Sequence, residues 1–313
     1  MTGLEPHTLP ELVPTCSVIG GLSQIASDEL GLPQGTAVTT GTGDLHSAAV
    51  GSGAVADYAA HLYMGTSSWI SCHVPFKKTD ALRNVASVPS GLPGRYLVAD
   101  EHETGGVCLT FLRDKVLYPD DGLGDLGCSP PEDFLDRCNT VAARVPAGAH
   151  GVLFTPWLNG ERCPVDDHTI RGGFHNMSLA TDRSDMVRAV FEGVALNSRW
   201  LLGAVEHFVG RRLDPLAFIG GGANSQLWAQ MHADALDRRV RRMKDPVLAN
   251  ARGAGLLALL ALGLVRVPDI GSMVEAEGDY VPDPATAVVY RELGKEFVRL
   301  YKRTKGIHRR LNR

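Results

Sequence analysis

Residues 216–228 read LAFIGGGANSQLW: a short apolar run, three glycines, then a helical pattern. Leu216 to Ile219 has the length and composition of a buried strand. Glycines at 220–222 let the backbone take positive φ and approach a ligand closely. The N–H groups that open the following helix, expected over 225–236, can face an anion. This is a nucleotide-binding arrangement in principle, and a structural turn explains it about as well. It lacks the Lys of a Walker loop and does not match GxGxxG. What it does suggest is a strand, then three glycines, then a helix.

Outward from this point the same alternation continues. A strand is expected near Val240 and an apolar core helix over 250–263. Upstream, Ser184 to Val209 is the clearest helix, with apolar positions at Met186, Val187, Val190, Val194, Leu196, Leu201 and Val205, and Thr181 or Ser184 as its cap. Gly151 to Phe154 reads as a buried strand, 104–117 as helical, 77–103 as strands and loops, and 118–131 as a loop. Residues 287–304 read as a final amphipathic helix. Nearer the start, a helical pattern at Leu22 to Leu30 precedes a strand at Thr36 to Thr40 and a small-residue helix at Ala48 to Val55. Strands alternating with helices throughout predict an α/β protein.

Three more stretches carry chemistry. In AAHLYMGTSSWISCHV, residues 59–74, an apolar run breaks at Gly65-Thr66-Ser67-Ser68 and resumes at Trp69, the pattern of a tight hairpin. Backbone amides and hydroxyls there can cradle phosphates, although an ordinary hairpin also fits. In GTGDLHSAAVG, residues 41–51, Asp44 follows a glycine turn and opens a helix. A carboxylate there can take a proton from a hydroxyl nucleophile or simply cap the helix. In FTPWLNGERCP, residues 154–164, Asn159-Gly160 marks a turn. Glu161 and Arg162 there could pair locally or line a cleft.

Composition excludes several classes. The chain has 313 residues, 44% hydrophobic and 21% charged, with a net charge of -4. No long like-charge block argues for nucleic acid or an anionic membrane as partner. The mildly basic cluster Arg238, Arg239, Arg241, Arg242 and Lys244 reads as a solvated strand end. The first residues have no apolar signal-peptide core. The most apolar run, Gly253 to Val265, is shorter than the about 20 residues that span a bilayer. Six scattered cysteines without a CxxC pair read as reduced thiols of a cytoplasmic protein.

Taken in order, these motifs resemble the FGGY family of carbohydrate kinases, most closely its xylulokinase branch. GTGD resembles the catalytic-aspartate motif and MGTSS the second phosphate motif. PWLNGERCP resembles the family's Gly-Glu-Arg-x-Pro segment, and GGFHNMSLATDRSDMVRAVFEG its C-terminal signature. IGGGANSQLWAQMHAD resembles the adenosine motif and ARGAGLLALLALG the closing helix. The resemblance implies an actin-like (ribonuclease H-like) ATPase fold, with residues 1–57 the tail of a first domain and 58–313 a nearly complete nucleotide-binding second domain. It implies ATP-dependent phosphorylation of a sugar or polyol hydroxyl, with a pentulose such as xylulose as the expected substrate.

Roles follow by resemblance. Asp44 would be the general base. Gly65, Thr66 and Ser67 would contact phosphates. Gly106, with Thr110 one helical turn on, would contact the nucleotide, and Gly221, Gly222, Ala223 and Asn224 would line the adenosine pocket. ATP and Mg2+ are the implied cofactors, and homodimers are frequent in the family. Two positions depart from the pattern. Leu45, followed by His46, stands right after Asp44 where the family often places Gln or Asn beside the sugar, which leaves xylulose, ribulose, glycerol and other polyols open. Asn176 replaces a usual Gly, and Asn is the residue after Gly that best tolerates left-handed backbone. The family's D-x-G-T hairpin, which holds Mg2+ and phosphates, is not found before Asp44. The chain is therefore expected to be a fragment, a truncated product or half of a split enzyme. It would be inactive until an N-terminal lobe is supplied, or else persist as a nucleotide-binding remnant without catalysis. Val18, Ile19, Leu22, Ile25, Leu30 and Val38 are expected to be exposed or poorly packed.

Overall fold

The computed structural model describes residues 8–121 and 129–312. Cys128 and the middle of the expected 118–131 loop lie outside the described residues. A small antiparallel pair, β1 (Val18–Gly21) and β2 (Ala37–Thr39), brackets helix α1 (Gln24–Leu30). Val18, Ile19, Ile25 and Leu30 are exposed here, while Leu22 and Val38 are half-buried. Helix α2 (Asp44–Gly51) follows and leads into the main sheet.

That sheet holds β3 (Ala60–Met64), β4 (Ser68–Val74), β5 (Thr79–Asp80), β6 (Val85–Pro89), β7 (Tyr96–Ala99), β10 (Leu216–Ile219), β11 (Val240–Met243) and β12 (Ala276–Tyr280). Their order is β12-β11-β10-β3-β4-β7-β6-β5. β3, β10 and β11 run parallel, as helix crossovers require, and the remaining pairs are antiparallel. β8 (Leu153–Thr155) and β9 (Gly173–His175) form a separate pair.

Helices cover both faces. On one face Leu62, Met64, Ile70, Cys72, Leu216 and Phe218 pack against α5 (Arg183–Val209) and α6 (Gln226–Leu236). On the other, Trp69, Ile219 and Met243 meet α2, α7 (Ala249–Ala261) and α8 (Val267–Met273). The remaining helices are α3 (Val107–Phe111), which runs on as a π-helical turn to Leu117, α4 (Phe134–Arg144) and α9 (Pro284–Leu311). The wider turn of a π-helix is rare and recurs beside functional sites.

Several sequence expectations are corrected. The cap of α5 is Asp182, not Thr181 or Ser184: its carboxylate accepts from the N–H groups of Ser184 and Asp185, and Asp185 returns a bond to the Asp182 N–H. The reciprocal geometry satisfies two orphan donors at once. The apolar run in α7 is not a fully buried core helix. It buries Ala249, Gly253, Leu256 and Leu257 on one face, while Leu262 and Leu264 just beyond it are exposed. The basic cluster at β11 is not simply solvated. Arg239 pairs with Asp279, Arg242 with Glu277 and Lys244 with Glu275 across the β11–β12 ladder, and Arg238 with Glu206 of α5. Among the described residues no helix is long and apolar enough to cross a membrane. Asn176 does take left-handed backbone, at φ 61°, as its substitution for Gly requires.

Candidate functional site

β3 and β4 pair antiparallel up to Met64↔Ser68, leaving Gly65, Thr66 and Ser67 as the turn. The Gly65 N–H donates to the Ser67 carbonyl at 2.9 Å. The chain after β7 backs this turn closely: His102 N–H donates to Ser68 O at 2.8 Å, Gly105 N–H to Thr66 O at 2.8 Å and Gly106 N–H to Gly65 O at 2.7 Å. A Cβ on Gly106 would lie 2.6 Å from Gly65 O, and one on Gly105 would lie 2.8 Å from Ser67 O. Both glycines are there because backbone meets backbone.

The triple glycine closes on the same turn from the other side. Gly220 has φ 87°, and a Cβ there would lie 2.5 Å from Met64 O. Gly221 to Asn224 form a 3-10 turn, and Ser225 caps α6 by accepting from the Trp228 N–H. The expected direct step from glycines to helix is therefore interrupted by one tight turn.

Between these segments lies a cleft of ≈ 710 Å³, inside the range of small-molecule sites. Of the expected residues, Gly65, Thr66, Gly106, Thr110, Gly221, Gly222 and Asn224 line it. Ser67 and Ala223 do not: Ser67 is half-buried outside the lining, and Ala223 is wholly buried in the core. The sequence reading missed the apolar wall of Met64, Leu109, Phe191 and Trp228, and also Asp133 at the start of α4 with Asp136 and Asn139 within it. Trp228 is held edge-on to Phe191 with centroids 5.0 Å apart, and its indole N–H donates to Phe191 O at 3.0 Å. Asn139 joins α4 to α6 by accepting from Ser225 Oγ at 2.5 Å. Phe134, Cys138 and Ala142, four apart and all buried, are the signal that would have found α4. A second concavity of ≈ 470 Å³, near Arg199 and Trp200, carries none of these motifs.

Asp44 is the first residue of α2, with Gly43 at the cap position, so it is not the N-cap. Its Oδ1 accepts from the Leu45 N–H at 2.7 Å, and the carboxylate is exposed. A carboxylate in a first turn also suits the helix dipole. Asp44 does not line the cleft. It stands on the α2 side of the hairpin, where its charge reaches Tyr63. α2 itself is clamped onto α7: a Cβ on Gly51 would lie 1.8 Å from Ala249 O, and one on Gly253 1.8 Å from Ser47 O. Leu45 turns toward that core. His46 hydrogen-bonds Pro89 O at 2.9 Å and edges a ≈ 270 Å³ hollow with Thr15, Thr42 and Ser90.

Glu161 does not pair with the Arg162 side chain. Wholly buried, it accepts from the N–H groups of Glu103 and Arg162 and from Asn197 Nδ2, at 2.9, 3.0 and 2.7 Å. Burial raises its pKa to about 7 against these hydrogen bonds. Arg162 instead bridges Glu101 and Glu103. Glu161 thus fastens the loop whose next residues, Gly105 and Gly106, back the hairpin.

The model of the FGGY family of carbohydrate kinases, C-terminal domain, matches residues 60–262. The chain belongs to the FGGY family of carbohydrate kinases. It is 28% identical over 301 residues to the xylulose kinase of Staphylococcus epidermidis, covering 95% of this chain and 58% of that protein. It is 26% identical to the gluconokinase of Bacillus subtilis, covering 96% and 58%. Its fold superposes on the ligand-bound xylulose kinase of Lactobacillus acidophilus with a TM-score of 0.83 at 25% identity, over 98% of this chain and 60% of that one. The fold is the actin-like ATPase fold of FGGY sugar kinases. The chain spans less than two thirds of the length of these relatives. Among the described residues no three His, Cys, Asp or Glu side chains cluster as ligands for a metal ion.

Proposed function

We propose that the cleft binds ATP and that the protein to which these residues belong phosphorylates a sugar or polyol hydroxyl. The observation that carries this reading is the convergence of the Gly65-Thr66 turn, Gly106, Thr110 and Gly221-Gly222 on one cleft with an aromatic floor. Backbone glycines suit phosphates, and Trp228 with Phe191 suits a flat base. Asp44, exposed across the hairpin, is the general base. The sugar oxygen forms a bond to the γ-phosphorus, the bond to the bridging oxygen of ADP breaks, and the hydroxyl proton passes to Asp44. Such transfer relies on positioning and charge stabilisation. Ser67 keeps a phosphate role through its place in the turn, and Ala223 acts by packing behind Gly221 and Gly222. The division near residue 57, the need for an N-terminal lobe and a cytoplasmic setting belong to the same proposal.

The substrate reading is a pentulose such as xylulose, supported by similarity to xylulose kinases. Similarity to a gluconokinase supports an acid sugar nearly as well. The test is ADP formation with Mg2+ across pentuloses, gluconate and polyols, by the chain alone and with an N-terminal lobe added in trans. Sugar-dependent turnover abolished by Asp44→Asn is the expected result. ATP binding with no turnover under any condition makes the chain a nucleotide-binding remnant.

A further inference from the structure

One side chain outside the cleft lining stands beside the hairpin turn, within reach of the charge of Asp44. Along β3, Met64 faces the cleft, where a Cβ on Gly222 would lie 2.3 Å from its Cγ. Tyr63 points to the opposite face, toward the core shared by α2 and α7. Gly65, which lines the cleft, turns its Cβ direction that way too: a Cβ there would lie 2.6 Å from Tyr63 Cε1 and 2.8 Å from its hydroxyl oxygen. The phenol therefore lies directly over the glycine of the hairpin, on the side of Asp44.

The ring is held firmly. It stacks on Trp69 with centroids 3.9 Å apart and planes within 7° of parallel. Trp69 donates its indole N–H to His61 Nε2 at 3.1 Å. His61 is fully buried, and burial, then the neighbouring His73, push its pKa down to about 3, so it stays a neutral acceptor. Tyr63 is half-buried, and its pKa is raised first by burial and then by the charge of Asp44. It therefore remains a protonated donor within electrostatic reach of that carboxylate. Among the described residues no hydrogen bond to its hydroxyl is found. Packing alone needs only the ring, which a phenylalanine would supply. Among the described residues nothing accepts from that hydroxyl.

We propose that the Tyr63 hydroxyl donates a hydrogen bond to the terminal phosphoryl group of a nucleoside triphosphate bound at the Gly65–Ser67 turn. This rests on the nucleotide reading of the cleft. Tyr63 keeps its proton throughout: the proton released by the attacking sugar goes to Asp44, and Tyr63 stabilises a phosphoryl oxygen that is anionic before and after transfer. A charge-assisted bond of this kind is stronger than a neutral one, and it discriminates a triphosphate from a diphosphate.

The test compares the chain with Tyr63→Phe, which preserves the stack, by calorimetric binding of a non-hydrolysable ATP analogue and of ADP. The expected result is about a fivefold loss of affinity for the triphosphate analogue with ADP unchanged. Equal losses for both ligands, or no loss for either, overturn the proposal. If the wild-type chain binds neither nucleotide, the reading of the cleft fails and Tyr63 with it. Binding by wild type that the variant matches sinks the Tyr63 proposal alone. A wild-type measurement covers a variant that does not fold. The ultraviolet tyrosine band should shift on adding the triphosphate analogue but not ADP, and identical difference spectra would count against the contact.

Discussion

The α2–α7 crossing and the contacts of Gly222 and Gly65 at the cleft are both built on glycines, yet they close against different atoms. At the crossing, added Cβ atoms on Gly51 and Gly253 would strike backbone carbonyls 1.8 Å away. At the cleft, one on Gly222 would meet the Met64 side chain at 2.3 Å, and one on Gly65 the Tyr63 ring at 2.6 Å. A carbonyl inside a helix cannot step aside without unpicking its hydrogen bonds, whereas a methionine can change rotamer. The crossing should therefore govern stability, and the cleft contact should govern ligand affinity.

The largest expected effect tests the first half of that contrast. Gly253→Ala should destabilise the chain by about 3 kcal/mol, the upper end of overpacking costs, in urea unfolding. A loss under about 1 kcal/mol would mean the helices can part, and the comparison breaks.

Next comes pH. Glu161 has a folded pKa near 7, raised above its unfolded value by burial. The folded state therefore holds the extra proton between those values, and stability falls as pH rises through that window. From pH 5 to 8 this loss amounts to about 2 kcal/mol at 1.36 kcal/mol per unit. Buried His61, His73, His102 and His232, with lowered pKa values, act in the opposite direction as pH falls. The diagnostic is thus the difference between wild type and Glu161→Gln, read from unfolding curves at several pH values. A constant difference across the range would show that Glu161 does not titrate there.

Gly222→Ala tests the cleft. Unfolding free energy should drop by about 1 kcal/mol, while ATP affinity, followed by Trp228 fluorescence, falls about tenfold, or 1.4 kcal/mol. The reverse pattern, large in stability and absent in binding, would put this contact in the same class as the crossing. The smallest effect belongs to the β11–β12 ion pairs: Arg239→Ala should cost under about 1 kcal/mol and less in high salt, measured by thermal unfolding.

How much was legible in the sequence follows from the range of each signal. Strand β10, helix α5, the 65–67 turn and the left-handed Asn176 rest on periodicity or on backbone preference within a few residues, and they stand in the fold at the expected places. The cap of α5 was misread by one or two residues because Thr181, Asp182 and Ser184 all have capping side chains, and only the return bond from Asp185 selects one. Leu45 looked like a departure beside a sugar. Its side chain turns instead toward the α2–α7 core, a direction set by where α7 packs.

The sequence by itself determined part of the local alphabet of this protein: strands such as β10, helices such as α5, where glycine must stand, and an ordered set of motifs belonging to one kinase family. The tertiary structure alone decided that Met64, Gly106, Asn139, Phe191 and Gly222 share one cleft, that Ala223 and Ser67 stay out of it, and that Tyr63 lies over Gly65 on the side of Asp44. Periodicity reports only which face of its own element a residue occupies. Which faces meet depends on sheet order and helix crossing, set by contacts between residues scores of positions apart.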